Sequence, residues 1–327
     1  MAERRPSDEP ARLIYRPGDD VEDLVAEWVN RPALRSLVKA FGGAWPGTTA
    51  PRALLDRLAK FSEIWDLRAG ASRLELPVVD AEVPPFSAVP AAADALGLVR
   101  QPPPSGDASD YVVVLGGLAT GTTSRIEYLE SLVKAGVVRP ARGIVLLGSF
   151  RPLAAKEREF LRNRYLTLPG AATEVDLLER HLDVVFPTGT SWVSEFDGDV
   201  EIDPHRACLH AQRVGTPTQH VLAAASSDPG QRPANTADTL EFAAARLSFV
   251  AGDRLQLVTS AIYAVYQLFD AIRVLGPYGT SIEMLGVPPE RSPTPQRPAA
   301  QIQEIRSCIR SALLLLASVG GRAAEAY

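Results

Sequence analysis

The sequence predicts an α/β protein: a Rossmann-like parallel sheet flanked by helices, with an all-helical N-terminal subdomain before it and a C-terminal helix after it. Three observations predict this class. The runs YVVVLGG (111–117), GIVLLGS (143–149), HVLAAASS (220–227) and LQLVTS (255–260) are continuously apolar, as parallel strands buried on both faces must be. Helical stretches at Ser124–Ala135, Leu153–Tyr165, Asn235–Phe249 and Ile262–Leu275 alternate with them. Each run also ends in small or hydroxyl residues: Gly116-Gly117, Gly148-Ser149, Ser226-Ser227 and Thr259-Ser260.

Taken in order, residues 1–20 read as a polar tail. Val21, Leu24, Val25, Trp28 and Val29 fall on one helix face, and Leu34, Leu37, Val38 and Phe41 repeat that spacing after Pro32. A third helix is predicted over Ala50–Leu67 and a short one over Ala91–Leu98, inside a Pro-, Ala- and Gly-rich connection that ends near residue 107. Residues 21–107 therefore form the helical subdomain and linker, and residues 108–327 the α/β domain. Within the latter, Asp197-Gly198 sits between β-prone runs and predicts a hairpin, SIEML (281–285) a last strand, and Ala299–Ser318 a final helix.

Composition narrows the function classes. The chain has 327 residues, 46% hydrophobic and 22% charged, so a large core is available. Lys+Arg 34 against Asp+Glu 39 gives a net charge of −5, which argues against nucleic acid as a partner and leaves a small molecule. The first twenty residues carry charges with no apolar run behind them, and Ala312–Ser318 is far short of the roughly 20 residues that span a bilayer. A cytoplasmic protein with no membrane partner is expected. Cys208 and Cys308 match no CxxC pattern, and a reduced state is the default.

Parallel α/β sheets bind ligands beyond the carboxyl ends of their strands, so the polar strand ends locate a candidate site. GGLATGTTSR (116–125) is a glycine-containing strand-to-helix turn in which Gly116 and Gly117 free backbone donors and Thr122 adds a hydroxyl. It is neither GxGxxG nor GxxxxGK[ST]. Arg125, Arg151 and Arg232 are candidate anion ligands, joined by Ser149, Asn235, Thr236, Thr239, Thr259 and Ser260. Asn235 with Asp238, and Thr173 with Asp176, also read as capping boxes. Glu157 and Glu174 are the candidate general bases. His205, Cys208 and His210 lack metal-site spacing, since His210 leaves the face that a helix would give the other two, and no metal is expected. His220, just ahead of a strand, reads as structural, and neither GxSxG nor HExxH occurs.

VVVLGG, SSDPGQRPANTADTLEFAAARL and LQLVTSAIYAVYQLFDAI together resemble the YdcF-like domain family that includes SanA and ElyC, over about residues 111–275. The resemblance implies a Rossmann-like fold with Gly116, Gly117, Asn235, Thr236, Thr259 and Ser260 around the pocket, and S-adenosylmethionine as a candidate cofactor. Tyr263 stands where a His is common in that family, and Gly148-Ser149-Phe150-Arg151 replaces its Gly-rich second turn. The expected function is an enzyme of group transfer or hydrolysis that binds a nucleotide-like or other anionic small molecule. The alternative is a regulatory protein that binds S-adenosylmethionine or a nucleotide without turnover. An ordinary methyltransferase is disfavoured, because Gly148-Ser149 occupies the place of the acidic residue that ends the second strand.

Overall fold

The computed structural model describes residues 13–47, 50–67, 77–164, 170–292 and 296–325. Its strands are β1 (Ile14–Tyr15), β2 (Ser109–Val114), β3 (Pro140–Gly148), β4 (Val193–Asp197), β5 (Cys208–Arg213), β6 (Thr218–Ala223), β7 (Arg254–Ser260) and β8 (Ser281–Val287). They form one sheet in the order β1-β8-β7-β2-β3-β6-β5-β4. The pairs β2–β3, β2–β7, β3–β6 and β7–β8 are parallel. The pairs β1–β8, β4–β5 and β5–β6 are antiparallel. The parallel strands thus follow the doubly wound order, with β2 at the centre and the order of strand addition reversing between β2 and β7.

The strand side chains explain why both faces are covered. Successive residues point to opposite sides. Val113, Leu115, Val145, Leu147 and Leu257 therefore enter one core, while Val112, Val114, Ile144, Leu146 and Val258 enter the other. The second core is closed by Ile126 and Leu129 of α5 (Ala119–Lys134) and by Val175, Leu178 and Leu182 of α7 (Glu174–Val185). Between these two helices in the chain lies α6 (Ala155–Arg164). The first core is closed by α8 (Thr236–Leu247), α9 (Ala264–Leu275) and α10 (Pro298–Glu325).

The N-terminal helices α1 (Val21–Val29), α2 (Pro32–Ala40), α3 (Pro51–Phe61) and α4 (Val89–Ala95) share that first core. Trp28 of α1 packs edge-on against Phe269 of α9, with ring centroids 5.8 Å apart, and donates its Nε1–H to Leu96 O at 3.1 Å. Trp65 meets Phe41 and Phe61 edge-on, and its carbonyl accepts from Gln303 Nε2 of α10. The linker crosses the other face, where Ser105 donates its backbone N–H and hydroxyl to Glu283 of β8 at 2.6 and 2.9 Å.

Several boundaries differ from the sequence expectation. The predicted polar tail contains β1, because Leu13 and Tyr15 bury their side chains beside β8, and Asp20 caps α1 through the Glu22 and Asp23 N–H groups. Residues 1–12 lie outside the described residues. The helix predicted from Ser124 begins at Ala119, so Arg125 stands in its second turn. The hairpin at Asp197-Gly198 is wider than two residues, since β4 pairs with Cys208–Arg213. No helix among the described residues is long and apolar enough to cross a membrane.

Candidate functional site

Parallel orientation brings the carboxyl ends of β2, β3, β6 and β7 to one edge of the sheet. At its centre, β2 leads into α5 on one face while the neighbouring β7 leads into α9 on the other. Arg125 lies between these diverging turns. Its Nη1 donates to Leu115 O and Gly116 O, both at 2.5 Å, and its Nε and Nη2 lie 3.3 Å from Ser260 Oγ. The guanidinium also lies 5.7 Å from the Tyr263 ring centroid. Only 2% of Arg125 is exposed, so this side chain holds the β2 and β7 turns together from below. Around it, Gly117, Gly121, Ser260 and Tyr263 are half-buried.

Toward β3 the turn is built on two carboxylates. Glu174 Oε1 accepts from Gly117 N–H at 2.6 Å, and Oε2 accepts from Ser149 Oγ at 3.0 Å. Glu157 Oε1 accepts from Ala119 N–H at 2.7 Å, and Oε2 accepts from Ala154 N–H at 2.8 Å. Arg151 spans both carboxylates. Its Nη1 is 2.8 Å from Glu157, its Nε 4.0 Å from Glu174, and its Nη2 donates to Gly117 O at 3.0 Å. Burial pushes the Glu174 carboxyl above the usual range, against the pull of Arg151 and the donors. Burial also acts on Glu157, but its Arg151 and N–H hydrogen bonds win and hold it below that range. Glycine is required beneath this knot. A Cβ at Gly116 would stand 2.4 Å from Leu147 O and 2.5 Å from Glu174 Oε1.

Toward β6, the Asn235 segment takes up the capping arrangement. Asn235 and Asp238 form the capping box of α8, and Arg232 donates to Asp238 at 2.6 Å and to Ser227 Oγ at 2.7 Å. Thr239 Oγ1 bonds Thr236 O. Gln267 of α9 accepts from Thr259 Oγ1 at 2.5 Å and donates to Thr236 Oγ1 at 3.1 Å, tying β7 to α8. Sequence reasoning missed Gln267; the available signal was a lone amide in the apolar run AVYQLF. Asn235→Ala is expected to lower stability by about 1 kcal/mol in urea denaturation, the usual effect of losing an N-cap.

The predicted residues therefore gather at one rim, but in different relations to it. Ser260, Gly117 and Thr236 are half-buried and Asn235 is exposed, whereas Thr122, Thr259, Arg125 and Ser149 are buried beneath the surface. The His/Cys set divides. His205 bonds Pro229 O from a loop, while Cys208 and His210 are two apart on β5, with His210 Nε2 at 3.3 Å from His220 Nδ1. Burial lowers His220 to about 4. Among the described residues no group of three His, Cys, Asp or Glu is placed to hold a metal.

Fold and site define a doubly wound α/β protein with polar side chains gathered at its switch point. Comparison with known proteins places it more narrowly. The family described as Rv3785 N-terminal domain matches residues 15–97, from β1 to just past α4. The full chain is 31% identical over 339 residues to Uncharacterized protein Rv3785 of Mycobacterium tuberculosis, and equally to Uncharacterized protein Mb3814 of Mycobacterium bovis, with 93% of each chain covered. The chain belongs to this family. No solved structure matches. The YdcF-like resemblance is overturned: the matching family is the Rv3785 one, and nothing of the YdcF-like kind is found. The motifs behind that resemblance, a strand ending in Gly-Gly and a Val-Thr-Ser strand end before a helix, are short and consist of small and hydroxyl residues that suit tight strand-to-helix turns in α/β folds generally.

Proposed function

We propose that the protein binds a nucleoside- or nucleotide-like small molecule in the crevice between the carboxyl ends of β2 and β7, with S-adenosylmethionine among the candidate ligands. The observation that carries this reading is the switch point itself, where adjacent parallel strands send their helices to opposite faces. Ligands of open α/β sheets bind there. Tyr263, whose ring packs on Arg125 and edge-on to Tyr266, and Ser260 are both half-buried at the end of β7.

Binding without turnover is favoured over group transfer or hydrolysis. A general base must reach the proton it takes. Glu157 and Glu174, the two candidate bases, are buried and already accept hydrogen bonds on both oxygens. A cytoplasmic location belongs to the same reading. The test is thermal shift of the full chain with S-adenosylmethionine, its demethylated product and nucleotides. A ligand at 100 times its Kd stabilises by about 2.7 kcal/mol, a shift of several degrees. Tyr263→Ala is expected to abolish the shift. A shift that survives Tyr263→Ala places the ligand elsewhere and ends this reading, and a ligand consumed during incubation, seen by mass spectrometry, replaces binding with catalysis.

A further inference from the structure

We infer that β4 is a docking edge for an extended basic segment of a partner protein, which joins the sheet as a further strand with basic and apolar residues in alternation. β4 pairs with β5 in unbroken antiparallel register from Val193–Gln212 to Asp197–Cys208. Among the described residues nothing pairs with its outer side. Alternate residues of β4 therefore direct their backbone N–H and C=O groups outward, which is the template for strand addition. The opposite edge of the sheet is the two-residue β1, too short to offer the same. Every residue of β4 is exposed, and its sequence VSEFD holds no proline or lysine to blunt the edge.

Alternation gives the two faces of this edge different chemistry. Ser194 and Phe196 share the face toward the second core, where Phe196 meets Phe150 edge-on with centroids 5.5 Å apart and is still 53% exposed. Val193, Glu195 and Asp197 share the other face, where Glu195 reaches Arg246 of α8 at 3.2 Å. Carboxylates continue at alternate positions past the strand, with Asp199, Glu201 and Asp203 in the loop to β5. Arg206 pairs with Asp203, and among the described residues Asp197, Asp199 and Glu201 have no cation as a partner. Charge decides what covers the edge. In a second copy paired antiparallel about Glu195, that carboxylate would face its own copy and Val193 would face Asp197. A shift by one residue would set Glu195 against Phe196. Both registers bring like charges together, which disfavours the pairing. An incoming strand with Arg or Lys opposite Glu195 and Asp197, and apolar residues opposite Phe196, meets its complement on each face.

The experiment titrates the full chain with three fluorescent heptapeptides: alternating Arg and Val, the same composition with the arginines grouped, and alternating Glu and Val. The alternating Arg–Val peptide is expected to bind with a Kd of about 100 μM or below, the grouped one about tenfold more weakly, and the Glu–Val one not at all. Hydrogen exchange is expected to slow at amides within residues 193–197 when the first peptide binds. Glu195→Lys/Asp197→Lys is expected to reverse the preference, losing the Arg–Val peptide and gaining the Glu–Val one. Both substitutions are at exposed positions, circular dichroism checks the fold, and the wild-type comparison of the three peptides decides without the variant. Equal binding of grouped and alternating peptides would show a charged surface without strand addition and overturns the inference. So does an Arg–Val peptide that fails to bind at about 1 mM, or that binds the folded charge-reversed variant unchanged. A peptide-free dimer that protects the amides of residues 193–197 assigns the edge to a second copy and overturns it too.

Discussion

Gly116→Ala is expected to destabilise the protein by about 3 kcal/mol or more, or to prevent folding, because overpacking and loss of buried hydrogen bonds act together there. The new Cβ would stand 2.4 Å from Leu147 O, 2.5 Å from Glu174 Oε1 and 3.2 Å from Gly148 Cα. Two of these three neighbours are backbone atoms of the adjacent strand, so no rotamer change relieves the contact. If β2 moves away, Arg125 loses the Leu115 and Gly116 carbonyls; if Glu174 moves, the half-buried Gly117 N–H loses its acceptor. Gly230→Ala is the control. Its Cβ would meet nothing within 4 Å, and a change within about 0.5 kcal/mol is expected. Urea denaturation of both variants measures the contrast. Equal stability of Gly116→Ala and wild type would mean that the first turn is not packed around Glu174.

The same turn shows where sequence reasoning reaches and where it stops. β2, β3, β6 and β7 were legible because burial on both faces demands unbroken apolar runs, a local property of the chain. The capping boxes at Thr173 and Asn235 were legible for the same reason, since each partner is three residues away. β1 was not, because a two-residue strand has no periodicity and is held by Leu13 and Tyr15 packing beside β8. The start of α5 was also hidden. Thr120, Gly121, Thr122 and Thr123 are poor helix formers, and a carboxylate 38 residues further on secures the first N–H of that helix. Glu157 and Glu174 read as bases in the sequence because rim position and residue type are visible there. That each folds back to satisfy a turn is a long-range fact with no local signature. The resemblance failed for a related reason, since strand-end glycines and hydroxyls report the geometry of the fold and not descent.

Asp270→Asn is expected to stabilise the protein at pH 8 by about 2 kcal/mol and to leave it unchanged near pH 4. Asp270 lies on α9 against α10, half-buried, near Arg273 and hydrogen-bonded to Ser311. Burial pushes its carboxyl up to about 6, against the opposing pull of Arg273 and Ser311. The folded value thus exceeds the unfolded one, near 3.8, and the folded state binds the proton more tightly. Stability from this group is therefore fully present below about pH 4, falls as pH rises, and is lost above about 6. Two pH units correspond to about 3 kcal/mol, reduced to about 2 by the partial exposure of the side chain. Asn keeps an acceptor for Ser311 and removes the charge, so the difference between wild type and variant isolates this one titration from those of Glu157 and Glu174. Unfolding free energies in urea at half-unit steps from pH 4 to 8 should show the two curves separating as pH rises through about 4 to 6. An Asn variant less stable than wild type at pH 8 would mean that the attraction of Arg273 outweighs burial, and that α9 and α10 are held together by the ionised carboxylate.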